Sequence, residues 1–228
     1  MAPILSIVKA IIFDLDGTLY DRKKLRQFVL LDMARFILIN PAGVSDLKIL
    51  WDFRKVREKN AHLSGHNIEK MQFEWGADKS RVSVEKVRRI VKEWMLTRPL
   101  QHLSVCCYPE VRDFFALLKE MDIRTAIFSD YPAREKLNIL NLKPDVTVCS
   151  TDAEVDRLKP DPKGLFVAVS KLRIPIEQCL FIGDRDDKDG ECARRAGMPY
   201  LIMNRRRNHS NGFKSFCEIS ESIKICNH

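Results

Sequence analysis

Five short apolar runs constrain what this chain can fold into more than any other feature. Residues 9–14 read Lys-Ala-Ile-Ile-Phe-Asp, and comparable runs recur at 124–129, 146–150, 179–183 and 200–203. Each is short, nearly continuous in its apolar character and followed by turn-forming or polar residues, the pattern of a strand buried on both faces. Helical patterns alternate with them at 109–121, 132–140, 162–172 and 189–196. Strand-helix alternation of this kind predicts an α/β fold, a doubly wound parallel sheet covered by helices on both faces.

The stretch after the first strand breaks the alternation. Residues 25–39 are apolar on several sides and stop before Pro41, and residues 46–59, behind a candidate N-cap at Ser45, carry Leu47, Leu50, Trp51 and Phe53. A shorter helix is expected over 68–75. The clearest spans 84–96, where Val84, Val87, Ile90, Val91, Trp94 and Met95 share one face while Glu85, Lys86, Arg88, Arg89 and Lys92 point away. The expected organisation is a core from 1–20 and 109–228, interrupted by an α-helical insertion at 21–108.

The strongest chemical signal follows the first strand directly: Asp14-Leu15-Asp16-Gly17-Thr18-Leu19. In an open α/β sheet the ligand site lies outside the carboxyl ends of the strands, so this acidic pair faces the crevice. Other strand ends supply further polar groups. Ser129 closes the second strand, Lys159 opens Lys-Pro-Asp-Pro, and Gly183-Asp184-Arg185-Asp186-Asp187-Lys188-Asp189 follows the fourth.

In this order the four segments resemble the motifs of the haloacid dehalogenase superfamily: an Asp-x-Asp-Gly-Thr loop, a strand-end Ser or Thr, a Lys before Pro, and a Gly-Asp loop with a second acid. The resemblance covers residues 9–203 and implies a Rossmann-like core with a helical cap between the first and second motifs. It leaves the substrate open. It further implies a phosphatase in which Asp14 is the nucleophile and Asp16 the general acid/base, because the halide-displacing branch lacks an acid at the latter position. A carboxylate held in line with phosphorus can form an acyl phosphate, splitting one hard displacement into two easier ones. Mg²⁺ takes oxygen ligands, so Asp14, Asp184, Asp189 and the backbone carbonyl of Asp16 form the expected metal set. Ser129, Lys159 and Thr18 are the expected phosphate contacts.

Two positions depart from the family pattern. Asp130 follows Ser129 where Asn or Gly is usual, placing a negative charge beside an anion site. In the fourth motif, Asp189 stands at the family's spacing before Ala196-Gly197 and is taken as the second acid, with Asp187 as the alternative and Asp186 as a solvated loop acid.

The remaining features bound the reading. Composition is globular, with 45% hydrophobic and 31% charged residues. The net charge of +8 resides wholly in 21–108, which holds 18 basic and 10 acidic residues. Solvated helix faces are the main reading of this excess, and a positive lid that steers anionic substrates is the alternative. The longest apolar runs, 114–118 and 165–169, have five residues each, against the roughly 18 of a membrane span. The N-terminal Met-Ala-Pro-Ile-Leu-Ser-Ile-Val-Lys reads as no secretory signal. Seven cysteines (106, 107, 149, 179, 192, 217 and 226) include no Cys-x-x-Cys pair and read as free thiols of a cytoplasmic protein. His62 and His66 read as a loop pair, Cys106-Cys107 as packing where the insertion returns, and Arg205-Arg206-Arg207 as a loop ahead of a weakly patterned tail. The expected partner is a small phosphorylated substrate, neither a membrane nor nucleic acid. The rivals are a phosphomutase with the same catalytic residues, a nucleic-acid-binding or scaffold protein using the basic insertion, and a phosphonate hydrolase, which needs a cap lysine that the sequence does not single out.

Overall fold

The computed structural model describes residues 5–63, 65, 67–205 and 211–226. Strand β1 (Ala10–Phe13) is followed by the helices α1 (Arg22–Ile39), α2 (Val44–Lys59), α3 (Ile68–Ser80), α4 (Val84–Val91) and α5 (Leu100–Leu103). The alternating part then runs α6 (Glu110–Glu120), β2 (Arg124–Ser129), α7 (Arg134–Leu140), β3 (Val146–Cys149), α8 (Lys163–Leu172), β4 (Cys179–Gly183), α9 (Glu191–Ala196) and β5 (Tyr200–Met203). It ends with β6 (Gly212–Phe213) and α10 (Phe216–Cys226).

The six strands form one sheet in the order β3-β2-β1-β4-β5-β6, parallel throughout. Period-2 alternation sorts each strand between two cores. Ile11 and Phe13 of β1 join Ile127 and Ile182 beneath α6 and α7, whereas Ala10 and Ile12 join Phe128 and Phe181 beneath α8 and α9. Both faces are therefore dry, which is why the strands read as continuous apolar runs. The strand order reverses between β1 and β4, so the crevice of this sheet opens where Asp14 and Asp184 emerge.

The helical segment has its own interior. Met33 of α1, Phe53 of α2, Phe73 of α3, and Val87 and Ile90 of α4 pack together with Trp94, and the rings of Phe53 and Phe73 stack 5.5 Å apart. Its two connections to the sheet lie side by side. Tyr20 pairs with Cys107 in antiparallel fashion, and the Asp21 N–H donates to the Cys106 carbonyl at 2.8 Å. On the far side, Asp156 of the core caps α3, accepting from Asn67 N at 3.0 Å and Ile68 N at 2.6 Å.

Several sequence expectations need correction. Helix α1 begins at Arg22, three residues before the expected start, because the Asp21 side chain caps it by accepting from the N–H groups of Lys23 and Lys24. Ser45 is not an N-cap: α2 already begins at Val44, and the Ser45 hydroxyl donates to the Ala42 carbonyl at 2.9 Å. Helix α3 continues to Ser80, beyond the expected 75. The helix expected over 84–96 loosens into a π turn at Lys92–Thr97. The tail is structured: Phe216, Ile219 and Ile223 of α10 are fully buried in the core beside α6. Those three positions form an i, i+3, i+7 stripe, too short a pattern to show by itself what it packs against.

Cys106, Cys149, Cys179 and Cys192 are buried free thiols, Cys107 is half-buried and Cys217 is exposed. The Cys226 side chain lies outside the described residues, as do His66, Arg206 and Arg207. Among the described residues, no helix is long and apolar enough to cross a membrane.

Candidate active site

The loop after β1 presents Asp14 at the bottom of the crevice, its N–H donating to the Ile182 carbonyl of β4 at 2.8 Å. Gly17 has φ +113°, and a Cβ there would collide with the Asp184 carboxylate. Only glycine lets the β1 and β4 loops approach this closely.

Lys159 is 2% exposed and serves two carboxylates, donating from Nζ to Asp14 Oδ1 at 2.6 Å and to Asp189 Oδ1 at 2.8 Å. The other Asp189 oxygen accepts from the backbone N–H groups of Asp184 (3.2 Å) and Arg185 (3.1 Å), so this acid orders the loop as well as the lysine. Asp184 faces Arg22 of α1 at 3.1 Å. Carboxylate oxygens of Asp14, Asp184 and Asp189 lie within 4.8 Å of one another. Neither alternative acid joins this trio: Asp187 pairs with Arg185, and Asp186 with Arg194.

Electrostatics follow from this crowding. Burial pushes the Asp14 carboxyl up to about 7, with Asp189, Asp184 and Asp16 adding to the rise and Lys159 opposing it. Asp184 is pushed up to about 6 by burial, held back by Arg22 and raised further by Asp189. Burial alone would lower the Lys159 ammonium, but Asp14, Asp189 and Asp130 hold it well above its ordinary value. An all-oxygen, net-negative donor set whose acids resist ionisation fits a hard divalent cation.

Asp16 points away from the trio. Its Oδ1 accepts from Lys136 Nζ of α7 at 2.5 Å and from the Tyr20 hydroxyl. Burial raises its pKa, but the Lys136 charge and these two hydrogen bonds outweigh burial and hold the carboxyl below the usual range. Thr18 is fully buried and donates to Asp14 Oδ2 at 3.2 Å, while Ser129 is fully buried and accepts from the Tyr131 N–H at 3.3 Å. Neither lines the open space above the carboxylates.

Asp130, the departure from the family pattern, anchors the helical segment. Arg57 of α2, 3% exposed, donates from Nη2 to the Asp130 carbonyl at 2.6 Å and from Nε to Gln72 at 2.9 Å, and stacks 4.3 Å from the Tyr131 ring centroid. Asp130 Oδ1 accepts from Ser150 at 2.6 Å and from the Lys159 N–H at 3.3 Å. A second bridge joins Glu58 to Arg185 (2.8 Å) and Lys188 (3.2 Å). Sequence reasoning missed Tyr20, Arg57 and Lys136. The unmatched charge of Asp130 was the one available signal for Arg57, but 18 basic residues in the segment offered no way to choose.

Between these carboxylates and helices α1 and α2 lies a cavity of about 750 Å³. Of the features set aside in sequence, His62 and Arg205 are among the described residues and stay outside it. His62 is exposed, with Nδ1 3.1 Å from the Lys59 carbonyl, and Arg205 pairs with Glu110 at 2.8 Å.

A parallel sheet with acids clustered at its switch point and a helical roof defines a hydrolase architecture, and residues 8–197 match the haloacid dehalogenase-like hydrolases. The chain belongs to this family. It is 26% identical over 208 residues to a glyceraldehyde 3-phosphate phosphatase of Methanopyrus kandleri, covering 87% of this chain and 85% of the relative. Identity reaches 28% over 197 residues with an N-acetylmuramic acid 6-phosphate phosphatase of Pseudomonas aeruginosa, covering 83% and 79%. In structure it resembles a HAD phosphatase from Thermococcus onnurineus, with a TM-score of 0.65 at 18% identity over 94% of this chain and 97% of that one.

Proposed function

We propose that the chain is a Mg²⁺-dependent phosphatase that hydrolyses a small phosphorylated metabolite through an aspartyl phosphate on Asp14. The observation that carries this reading is the trio Asp14, Asp184 and Asp189 around Lys159, buried at the sheet's switch point beneath a helical roof. The phosphatase names of its relatives support it.

Mg²⁺ would be held by Asp14, Asp184, Asp189 and the Asp16 backbone carbonyl, and supplies the positive charge that lets a phosphate dianion approach these acids. Asp14 then attacks phosphorus in line, oriented by Thr18. This orienting role replaces the phosphate contact expected of Thr18, since its hydroxyl already serves Asp14. Lys159, which lines the space above Asp14, holds a phosphoryl oxygen, and the buried Ser129 shapes the Tyr131 turn rather than making the expected phosphate contact. Asp16 donates a proton to the leaving oxygen and later takes one from the attacking water. Lys136 and Tyr20 hold Asp16 as a carboxylate here, the form that takes the proton from the attacking water.

In this reading residues 21–108 are the cap and 1–20 with 109–228 the core, divided at the Tyr20–Cys107 connection. Buried free thiols suit a reducing cytoplasm. The test is phosphate release from p-nitrophenyl phosphate and a panel of phosphorylated metabolites, with Mg²⁺ or EDTA. Metal-dependent release that disappears in Asp14→Asn supports the assignment; release that survives this substitution overturns it.

A further inference from the structure

The cavity above Asp14 is far larger than a phosphate group needs. Its volume of about 750 Å³ lies in the range, about 300–1,000 Å³, that encloses a drug-sized ligand. Its walls are of two kinds. Beside the catalytic carboxylates they are charged, with Arg22, Arg26 and Arg54 facing in. The others are apolar: Leu25, Val29 and Met33 of α1, Leu50 of α2, then Trp94 and Met95.

The polar groups of the lining are nearly all charged, and neutral hydroxyl and amide side chains are scarce. Among the described residues it holds no Ser, Thr, Asn, Gln or His, and its uncharged polar groups are the Tyr20 and Tyr131 hydroxyls and the Trp51 and Trp94 indoles. The Tyr20 hydroxyl is committed to Asp16 and the Tyr131 ring to Arg57. A sugar phosphate could pair hydroxyls with the charged residues, but those set against Leu25, Val29, Met33, Leu50 and Met95 would lose water without a partner. The apolar character continues to the mouth, where Leu30 (52%) and Trp51 (69%) are exposed.

Resting on the phosphatase reading, we propose that this apolar wall binds the alcohol portion of the substrate, and that the substrate class is phosphate monoesters of bulky apolar alcohols. The cationic zone draws in the phosphate dianion, and the apolar zone selects what is attached to it. Hydrolysis follows the usual balance: the P–O bond to the alcohol breaks, water supplies the new P–O bond, and the alcohol leaves with a proton.

The test is a series of primary alkyl phosphates, whose leaving alcohols differ little in acidity: ethyl, butyl, hexyl and 2-phenylethyl phosphate, with glucose 6-phosphate as the polar comparison. With Mg²⁺ present, kcat/KM is expected to rise about two- to fourfold per methylene, more than tenfold from ethyl to hexyl, with glucose 6-phosphate below hexyl. Val29→Thr and Met95→Gln keep side-chain size and add polarity; each should shrink the hexyl-to-ethyl ratio at least threefold. Binding of hexylphosphonate and ethylphosphonate, measured by calorimetry, reports the wall without turnover, and the longer compound should bind at least tenfold more tightly. A flat ester series, or a preference for glucose 6-phosphate, overturns the apolar site while leaving the phosphatase reading intact. If no ester is hydrolysed, the phosphatase reading fails, and equal affinity for the two phosphonates removes the apolar site with it.

Discussion

Arg57 Nη2 lies 2.6 Å from the Asp130 carbonyl, joining the most deeply buried arginine of the helical segment to the residue that follows Ser129. Roof and catalytic strand are thereby one electrostatic unit. Arg57→Met should destabilise the protein by about 3 kcal/mol, because it takes from the largely desolvated Asp130 carboxylate the strongest of its cationic neighbours, 3.9 Å away, and a hydrogen bond from its carbonyl. It should also raise KM about tenfold by loosening the roof. Arg57→Lys should recover little of either, since an ammonium cannot serve Asp130 and Gln72 while stacking on Tyr131. Urea titration and steady-state kinetics check this; a variant as stable as the parent overturns it.

Asp14→Asn separates chemistry from stability. Turnover should fall by at least about a thousandfold because an amide cannot form the acyl phosphate. In metal-free buffer at pH 8, Tm should rise, since the substitution removes a carboxylate whose ionisation the site opposes. A lower Tm at that pH would contradict the electrostatic account of the cluster.

Metal-free stability should fall as pH rises from about 4 to about 7. Asp14 and Asp184 hold their protons to about 7 and about 6 when folded, against 3.8 when unfolded. Over that window the folded state binds more protons, so the slope of unfolding free energy with pH is negative. Added Mg²⁺ needs the ionised carboxylates and should therefore raise Tm more at pH 8 than at pH 5. Scanning fluorimetry with and without Mg²⁺ tests both signs, and a Mg²⁺ effect larger at pH 5 would contradict them.

Lys136→Met should move the acidic limb of the kcat profile to higher pH. The lysine lies 2.5 Å from Asp16 Oδ1 and is a leading cause of that carboxyl's depressed pKa. A merely structural lysine would scale the whole profile and leave its midpoint in place.

The parts of this protein legible in sequence are those encoded locally. Strands β2, β4 and β5 matched their apolar runs because a strand buried on both faces has little choice of composition. Asp14, Asp16, Gly17 and Thr18 stood out because their loop carries both its geometry and its chemistry within a few residues. The resemblance to a known family chose Asp189 over Asp187; in the tertiary structure Asp189 reaches Lys159 and two backbone N–H groups, while Asp187 turns outward to Arg185. Lys136 is 120 residues from Asp16 and Arg57 is 73 from Asp130, and no periodicity relates positions so far apart. The apolar stripe of α10 was visible only once α6 stood opposite it. The apolar wall above Asp14 is likewise a property of assembly: Val29, Leu50 and Met95 come from separate segments, each an ordinary helix position until packing turns all three toward one cavity.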